Sequence, residues 1–564
     1  MNCLIQRMFE NRGYTPEFIR AINDSSYDNL KDIDTLAVRL KEIHDEHIPV
    51  TILPDFDMDG ISAGALGFAG LSELGFSVAL YTPVPSEGYG FTPDTIDDLL
   101  LRFPATKVII TCDVGIGCFE AIEYCKKKGI EIIITDHHKQ ERVADTDIIV
   151  NPMRLDETYS HPGICGAFVL YQVLQYYADL YCNYFQQDQI RRLRVFAGIG
   201  TISDSMPLLY ENRKLVRDSI MISRLVYGDG TDAFINNLQG CVQYRQSFSG
   251  LYQMLKLYEE YGVIENAESI DEDFYGYYLA PTFNSAKRMD GDMNKTFGVF
   301  FAGDPASQME NAKYLYQLNV ERKNLVEREF TSMMDNDQPY APYIYFSTAR
   351  PGILGLLAMK AMKESGVPTF VIVDSGEPGE TRYHGSGRSP EWFPCWTHLH
   401  NDIYIAGHEF AFGCGMSTLT EVQRLFRILN VDVPKAMSEV VIEEFKPDFV
   451  ISTDWSADTG IDIELFEDYI VECDKYRPFG KGFPAPVAVF KFNNRDVIEW
   501  KRIGKTKQHL KISFANGFDV LCWNQAALIS QKDSFDDHVV IGKLGTSEYD
   551  GVTSVNFIGD LQEQ

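Results

Sequence analysis

The feature that most constrains the fold is a set of short apolar runs that each end in acidic residues. Three such runs cover residues 48–53, 107–112 and 130–135. The residues that follow them are Asp55, Asp57, Asp59, Asp113, Asp136, His137 and His138. Runs of this length and apolarity predict strands that are buried on both faces. Helical patterns lie between them, so the alternation predicts repeated β–α–β units and a parallel sheet.

The polar groups at these strand ends predict a metal centre. The carboxyl ends of parallel strands lie at one edge of a sheet, so these groups should meet in one crevice. Asp55, Asp57 and Asp59 are expected on one side of an extended backbone. A further acid, Asp204, follows a small-residue helical segment. Crowded carboxylates need a cation, and carboxylates with imidazoles suit Mn²⁺ or Mg²⁺. A solvated acidic turn is the alternative.

The same stretch contains a second pattern. Gly60-Ile-Ser-Ala-Gly64 matches the G-x-S-x-G motif of hydrolases with a nucleophilic serine between a strand and a helix. Three aspartates precede Ser62, however, and their charge would oppose an oxyanion at that place. We therefore expect Ser62 to help the turn and to cap the following helix.

Composition limits the class of protein. A chain of 564 residues should form three or four domains. Its net charge of −30 argues against loose, nonspecific coating of DNA, although a local basic groove remains compatible with it. The eleven cysteines show no C-x-x-C spacing, which is typical of a reducing compartment. No apolar run is long enough to span a bilayer, so we expect a cytoplasmic protein with no membrane partner.

Several segments carry a resemblance to a known family. The first four are Asp55-Phe-Asp-Met-Asp-Gly60, Asp113, Asp136-His-His138 and Gly200-Thr-Ile-Ser-Asp204, and they resemble the four motifs of the DHH phosphodiesterases. Others are similar to the RecJ-type exonucleases of the DHH/DHHA1 family: Pro281-Thr-Phe-Asn-Ser-Ala-Lys-Arg-Met289, Asn319-x-x-Arg322, Arg350-Pro-Gly-Ile-Leu-Gly355, Gly385-Ser-Gly-Arg-Ser389, Gly407-His-Glu-Phe-Ala-Phe-Gly413 and Pro478-Phe-Gly-Lys-Gly-Phe-Pro484.

Two departures from that family accompany the resemblance. RecJ-type enzymes usually carry an arginine shortly before the Glu87-Gly-Tyr-Gly90 loop, where this chain has Pro83-Val-Pro-Ser86. They also tend to have an arginine where Thr282 stands. Two positive charges that position phosphate are therefore missing or supplied elsewhere.

The resemblance implies an α/β fold with a C-terminal OB-fold β-barrel. A parallel-sheet DHH domain and a smaller α/β DHHA1 domain would be joined by a long helix. The implied domains are a DHH catalytic domain with N-terminal helices (1–215), a helical insert and connecting helix (216–335), a DHHA1 substrate-binding domain (336–432) and an OB-fold-like nucleic-acid-binding domain (433–564).

The resemblance also implies roles for individual residues. Two ions, Mn²⁺ or Mg²⁺, would be bridged by Asp113; Asp57 would bind one of them, and Asp59, His137 and Asp204 the other. Asp55 would be a direct or indirect ligand. Asp136 and His138 would act with Asp113 in catalysis, with His138 hydrogen-bonded to the scissile phosphate. The implied substrate-binding residues are Arg288, Ser386, Gly387, Arg388, Ser389 and His408.

Two of these assignments have alternatives in the residues themselves. Gly385–Ser389 combines backbone N–H groups, hydroxyls and a guanidinium, which suit phosphate, but an ordinary glycine-rich turn would look the same. Near the C-terminus the densest basic cluster, flanked by Trp500 and Trp523, favours single-strand binding. Its members are Lys501, Arg502, Lys505, Lys507 and Lys511. A solvated basic turn is the alternative there.

The function that the resemblance implies is hydrolysis of single-stranded DNA in the 5′-to-3′ direction to 5′-mononucleotides, in recombination, repair or replication. Single-stranded DNA is the expected partner, with a single-strand-binding protein or a helicase as candidate protein partners of a monomer. One alternative is a DHH phosphodiesterase acting on short oligonucleotides or cyclic dinucleotides. The other is a non-catalytic scaffold derived from the DHH fold.

Overall fold

The computed structural model describes residues 2–23, 29–82, 90–140, 142–146, 148–228, 244–376, 382–399, 402–407, 409–439, 445–453, 460–504, 506–533, 536–549 and 552–562. The chain divides into two compact units. The smaller unit comprises Met1–Ser26, Pro207–Arg217 and Glu443–Gln564, and the larger unit comprises Tyr27–Met206 and Asp218–Ile442. Residues 1–26, predicted as part of the first domain, thus group with the C-terminal residues.

The first sheet of the larger unit is parallel throughout, as predicted. Its strands are β1 (Val50–Pro54), β2 (Val78–Leu80), β3 (Val108–Cys112), β4 (Glu131–Thr135) and β5 (Ile148–Val150). They lie in the order β2-β1-β3-β4-β5, and every neighbouring pair is parallel. Strands β1 and β3 are buried along their whole length, because helices cover the apolar side chains that both of their faces present.

The helix that follows β1 begins earlier than predicted. It spans Met58–Glu73, and the carboxylate of Asp57 caps it by accepting hydrogen bonds from the N–H groups of Asp59 and Gly60. The prediction that Asp55, Asp57 and Asp59 alternate along an extended backbone was therefore wrong, because Asp59 already lies in the first helical turn. The prediction that Ser62 caps this helix was also wrong. Ser62 lies inside the helix and is fully buried.

A second sheet in the larger unit is mixed. Its strands are β6 (Ile344–Phe346), β7 (Thr369–Asp374), β8 (Tyr383–Arg388), β9 (Tyr404–Gly407) and β10 (Ala411–Met416), in the order β6-β7-β8-β10-β9. Strands β6 and β7 run parallel, whereas the other neighbouring pairs are antiparallel. Most of Gly385–Ser389 belongs to β8, so the alternative of a glycine-rich turn does not hold. Gly385 faces the carbonyl of Val371 so closely that a Cβ would lie 2.0 Å from it.

Helices account for most of the remaining residues of the larger unit. The 31-residue helix Pro305–Asp335 lies in the segment predicted to contain the connecting helix, and Asp304 caps it by accepting from the N–H groups of Ala306 and Ser307. The other helices of the unit are Ile33–Asp45, Pro93–Arg102, Phe119–Lys128, Gly166–Tyr181, Tyr184–Arg192, Arg194–Ser203, Ser249–Glu260, Glu272–Phe274, Ala280–Met289, Met293–Phe301, Pro351–Ser365, Cys395–Leu399 and Leu419–Glu439, with a π-helical turn at Tyr275–Leu279. Helix Tyr210–Tyr227 begins in the smaller unit and ends in the larger one.

The smaller unit is built on one seven-stranded sheet. Its strands are β11 (Phe449–Ser452), β12 (Ala488–Asn493), β13 (Val497–Ile503), β14 (His509–Phe514), β15 (Asp519–Cys522), β16 (Asp537–Tyr549) and β17 (Val552–Leu561), ordered β11-β12-β16-β17-β15-β14-β13. Helices Cys3–Arg12, Pro16–Ala21 and Ile463–Asp474 complete the unit. Leu4, Ile5 and Met8 pack in the same apolar core as the strands, because the first helix turns its apolar face towards them.

Among the helices that the structure describes, none is both long and apolar enough to cross a membrane.

Candidate metal centre and adjoining cleft

The polar residues at the ends of β1, β3 and β4 lie together in the larger unit. Together with Asp204 they form three groups, and within each group the possible ligand atoms all lie within 4.8 Å of one another. The groups are Asp55, Asp57 and Asp113; Asp59, His137 and Asp204; and Asp113, His137 and His138. The sequence-predicted metal ligands are thus brought to one place.

His137 is the side chain that joins the strand ends to Asp204. Its Nε2 atom lies 3.0 Å from Asp113 Oδ1, 3.6 Å from Asp204 Oδ2 and 3.9 Å from Asp59 Oδ2. Asp204 reaches this position because helix Arg194–Ser203 ends directly before it. A single ion could therefore bind an imidazole nitrogen together with carboxylate oxygens from three segments of the chain.

Asp59 is held in place by the helix Gly166–Tyr181. Its Oδ2 accepts a hydrogen bond of 2.7 Å from the Gly166 N–H, and its Oδ1 accepts one of 3.1 Å from the Ala167 N–H. Glycines make this close packing possible. A Cβ at Gly200 would lie 2.2 Å from Asp59 Oδ1, and a Cβ at Gly166 would lie 2.6 Å from the Asp113 side chain.

Asp136 orients the second histidine of the strand end. Its Oδ1 lies 2.7 Å from His138 Nδ1, and its Oδ2 accepts a hydrogen bond of 2.9 Å from the Ile116 N–H. Burial alone would lower the pKa of His138, but the hydrogen bond and negative charge of Asp136 outweigh it and raise that pKa to about 9. Burial would raise the pKa of Asp136, but the hydrogen bond and positive charge of His138 outweigh it and lower that pKa to about 2. This ion pair fixes the imidazole ring beside the ligand groups.

Asp113 and Asp204 lie among other carboxylates that raise their pKa values. Burial and the charges of Asp59 and Asp57 raise the pKa of Asp113 well above its usual value. Burial and the charge of Asp59 raise the pKa of Asp204 to about 7. Such crowding at strand ends is the arrangement that a bound divalent ion would relieve, so the residues present fit Mn²⁺ or Mg²⁺.

A cleft of about 420 Å³ adjoins the carboxylates. Its lining residues are Asp57, Ser203, Asp204, Asn284, Lys287, Arg288, Pro351 and Gly352. Helix Ala280–Met289 supplies Asn284, whose side-chain oxygen accepts a hydrogen bond of 2.7 Å from the Met58 N–H. This bond fixes the helix against the turn that carries Asp57.

Three arginines form a cationic cluster in the larger unit, and we call Arg288, Arg322 and Arg388 the arginine cluster. Burial and the charge of Arg288 lower the pKa of Arg388, and the same two causes lower the pKa of Arg322 to about 10. Asn319 holds Arg322 by accepting from its Nη2 at 2.8 Å. Gly355 leaves room for Arg388, because a Cβ there would lie 2.6 Å from Nη2. Partly buried guanidiniums that lower one another's pKa suit a bound anion.

Thr282, where the resemblance implied an arginine, makes hydrogen bonds to neighbouring side chains. Its side chain is fully buried, and its Oγ1 atom accepts a hydrogen bond of 2.9 Å from Asn319 Nδ2. The hydroxyl of Tyr258 lies 2.6 Å from the same atom. Thr282 therefore supports Asn319, and through it Arg322, in place of supplying a charge of its own.

The other predicted substrate residues on or next to β8 differ in their surroundings: Ser386 and Arg388 are partly exposed, whereas Gly387 and Ser389 pack against neighbouring residues. Ser386 and Arg388 lie two positions apart on β8 and so share one face of the sheet. Gly387, between them, faces the Phe412 ring, and a Cβ there would lie 2.2 Å from it. Ser389 is buried, and its hydroxyl donates to the Phe393 carbonyl, so it anchors the end of the strand. His408 lies outside the described residues.

Sequence reasoning missed three polar residues of the cleft, Ser203, Asn284 and Lys287. Asn284 and Lys287 recur at helical spacing with Arg288, which was predicted, so these three lie on one face of helix Ala280–Met289. That periodicity was the available signal.

Ser62→Ala is expected to leave both activity and fold intact. Within the described residues the Ser62 hydroxyl has no hydrogen-bond partner, so its removal should keep or raise the free energy of unfolding by up to about 1 kcal/mol. Thermal unfolding measures the effect on the fold, and kcat/KM measures the effect on activity. Inactivation together with a covalent adduct on Ser62 in the wild type would instead support a nucleophilic serine.

Two sequence profiles match separate parts of the chain. The DHH family, N-terminal domain, matches residues 49–197, and the RecJ OB domain matches residues 458–559. The first match covers β1 to β5 and most of the candidate ligands. The second covers most of the seven-stranded sheet, so the predicted C-terminal OB domain is confirmed.

Curated relatives match along most of the chain. The single-stranded-DNA-specific exonuclease RecJ of Bacillus subtilis is 25% identical over 526 residues, which cover 91% of this chain but only 61% of that protein. The Haemophilus influenzae RecJ is 24% identical and the match covers 90% of this chain and 86% of the relative. The Thermus thermophilus RecJ is 23% identical, and the match covers 88% of this chain and 66% of the relative.

Solved structures show the same fold. The Mn²⁺ complex of RecJ from Thermus thermophilus superimposes with a TM-score of 0.73 at 20% identity, over 100% of this chain and 76% of that one. The Mg²⁺ complex of the same protein gives a TM-score of 0.68 at 19% identity, over 100% and 75%. The parallel first sheet, the DHH and OB-domain profiles and the RecJ relatives agree with one another: this chain matches the DHH N-terminal domain and the RecJ OB domain, and it is similar to RecJ exonucleases along about nine tenths of its length.

Proposed function

We propose that this protein is a metal-dependent exonuclease that hydrolyses single-stranded DNA from the 5′ end to 5′-mononucleotides, in recombination, repair or replication. The observation that carries the proposal is the meeting of three strand ends and Asp204 in one ligand cluster beside a cleft. Relatives that match about nine tenths of the chain carry the name of single-stranded-DNA-specific exonuclease. The match spans 61% of the length of the Bacillus subtilis relative.

Two ligand sets would hold the metal ions. Asp57 and Asp113, with Asp55 beside them, form one set, and Asp59, His137 and Asp204 form the other. Asp113, a member of the first set, would contribute to both, because its Oδ1 lies 3.0 Å from Nε2 of His137 in the second set. Bound divalent ions would activate water and offset the charge that develops on the phosphate.

His138 and Asp136 would position the scissile phosphate. Asp136 binds Nδ1 of the ring and thereby orients Nε2 as the other hydrogen-bonding atom. A ring held in this way can donate to a phosphate oxygen at a fixed place, which lowers the cost of reaching the reactive geometry. Asp136 acts through His138, because its own oxygens are engaged with the ring and with backbone N–H groups.

The second sheet would bind the strand beside its terminus. Arg388 and Ser386 on β8, with Arg288 in the cleft, provide donors for phosphate groups. We keep the four-domain division of the sequence as a proposal in which residues 336–432 supply this substrate-binding function. Gly387 lets β8 pack closely against Phe412 and so sets where Arg388 stands.

The smaller unit would bind single-stranded DNA through a surface of its own. Lys501 and Lys511 face each other across β13 and β14, and they lie opposite the buried side of the sheet. Trp523 is 47% exposed and its ring contacts His509 on the same outer side. Trp500 instead packs against Phe492 and His538, so it belongs to the core. Cations beside an exposed indole suit nonspecific single-strand binding. Lys505 lies outside the described residues.

Trp523→Ala and Lys501→Ala are each expected to weaken binding of a 40-nucleotide strand while leaving a 4-nucleotide strand unaffected. Loss of base stacking on Trp523 should cost about 1–3 kcal/mol of binding free energy. Loss of Lys501 should reduce the slope of log K against log salt concentration by about 1, because one phosphate contact is lost. Lys491→Ala, an exposed lysine on β12, is the matched control. Fluorescence anisotropy at several salt concentrations measures both quantities. Equal losses on the two lengths would argue against this surface.

We also propose a cytoplasmic monomer that works with a single-strand-binding protein or a helicase. Cytoplasmic location is supported by the ten cysteines in the described residues, all of which are free thiols.

Single-stranded substrates, duplexes and dinucleotides with labelled 5′ ends, incubated with Mn²⁺, test the proposal that the protein is an exonuclease. Release of labelled mononucleotide from single strands alone is the expected result, whereas cleavage of dinucleotides alone would indicate a phosphodiesterase of short substrates.

A further inference from the structure

Lys287 places a positive charge inside the candidate ligand cluster. Its Nζ atom lies 3.1 Å from Asp55 Oδ2 and 3.6 Å from Asp57 Oδ2. Its side chain is only 34% exposed, and it also lines the cleft. The Lys287 ammonium group thus contacts two carboxylates of the candidate ligand cluster.

The position of this ammonium group is built into the fold. Asn284, one turn earlier on helix Ala280–Met289, accepts a hydrogen bond of 2.7 Å from the Met58 N–H. The helix that carries Lys287 is thereby tied to the turn that carries Asp57. Lys287 consequently contacts the carboxylates from a fixed backbone, and its partners are groups that a metal ion would also use.

The two ligand sets differ in this respect. The carboxylates of Asp59 and Asp204 lie within 4 Å of His137, and neutral His137 can itself bind a metal. The set with Asp55 and Asp57 instead shares its oxygen atoms with an ammonium group. A cation at such short range repels an incoming divalent ion and competes for the same lone pairs.

We propose that Lys287 is a built-in cation of the metal centre that makes the Asp55–Asp57–Asp113 position bind its ion more weakly than the Asp59–His137–Asp204 position. The inference rests on the proposed function, because it concerns the metal centre of that function. Lys287 neutralises Asp55 and Asp57 while the weaker position is empty, and the negative phosphate of a bound strand then favours entry of the second ion.

Binding of Mn²⁺ to the full-length protein tests this inference without any activity measurement. Titration calorimetry of the wild type, together with electron paramagnetic resonance of free Mn²⁺, should resolve a tighter and a weaker class. Lys287→Met should tighten the weaker class by about tenfold or more and leave the tighter class unchanged, because only one position loses its competing charge. Lys287→Arg should keep the weaker class weak. Lys295→Met, which removes an exposed lysine from the next helix, is the control and should change neither class.

Three results would overturn the inference. Unchanged or weaker Mn²⁺ binding in Lys287→Met would show that the ammonium does not oppose the ion. An equal change in both classes would show that its effect is not local. A wild type that binds no Mn²⁺ would instead overturn the metal centre itself, and that outcome is distinct from the first two. Thermal unfolding in EDTA checks the fold, and Lys287→Gln, which retains a hydrogen bond to Asp55, should give the same tightening if Lys287→Met does not fold.

Discussion

Asp113→Asn is expected to lower kcat/KM on single-stranded DNA by about a thousandfold or more, which corresponds to about 4 kcal/mol of lost transition-state stabilisation. The reason is that Asp113 belongs to two of the three candidate ligand groups found among the described residues. An amide oxygen cannot replace a carboxylate that two groups share. Nuclease assays with Mn²⁺ measure the loss, and anisotropy on the same strand measures whether DNA binding persists.

Asparagine is the substitution of choice because of the backbone at this position. Asp113 has a φ of 64°, which asparagine tolerates better than alanine. Asp32→Asn is the matched control, since Asp32 has a φ of 63° and its carboxylate pairs with Arg154 away from the ligand cluster. The control should keep wild-type activity. An Asp113→Asn protein that retains a tenth of the wild-type rate would contradict the assignment of Asp113 as a bridging ligand.

The sequence was sufficient to predict that the candidate ligands meet, because strand ends in a parallel sheet share one edge. Asp113 and Asp136 follow β3 and β4 directly, so buried apolar runs alone placed them. Asp59 shows the limit of this argument. Its residue type and neighbourhood were predicted, but its approach depends on Asp57 starting a helix and on the N–H groups of Gly166, more than 100 positions away along the chain. No local pattern contains such a contact.

The second sheet was harder to predict because its glycines hide the periodicity of a strand. Gly385 and Gly387 lack side chains that could show a buried face, so the segment resembled a turn. The structure explains both residues by close approach: Gly385 faces the Val371 carbonyl and Gly387 faces the Phe412 ring. These neighbours come from β7 and β10, and only the folded chain brings them there.

The N-terminal helices illustrate a different limit. The sequence predicts amphipathic helices before β1, but amphipathicity does not say which core receives the apolar face. Leu4 and Met8 pack with residues of the C-terminal strands, and Arg12 forms a 2.6 Å ion pair with Asp448. Deletion of the C-terminal residues would therefore remove the side chains against which these N-terminal helices pack. Point substitutions test the smaller unit more cleanly than a deletion does.

Arg388→Ala is expected to erase a preference for 5′-phosphorylated over 5′-hydroxyl single strands. A terminal phosphate carries more negative charge than an internal one, and a guanidinium can bind it through two parallel hydrogen bonds. Thr282 stands where the resemblance implied an arginine, and its hydroxyl is engaged with Asn319 and Tyr258. Arg388 should consequently carry a large share of end recognition, together with Arg288. The loss should be about 1.5–3 kcal/mol in kcat/KM on the phosphorylated strand.

Two further variants make this prediction specific. Arg388→Lys should recover part of the preference, because an ammonium group supplies charge but not the two-pronged geometry. Arg382→Ala removes another arginine of the same sheet, one that pairs with Asp374 at 2.8 Å, and should leave the preference intact. Measuring kcat/KM on both end types for the wild type and the three variants decides the matter. A wild type without preference, or an Arg388→Ala protein that keeps it, would place end recognition elsewhere, because the arginine cluster would then bind only internal phosphates.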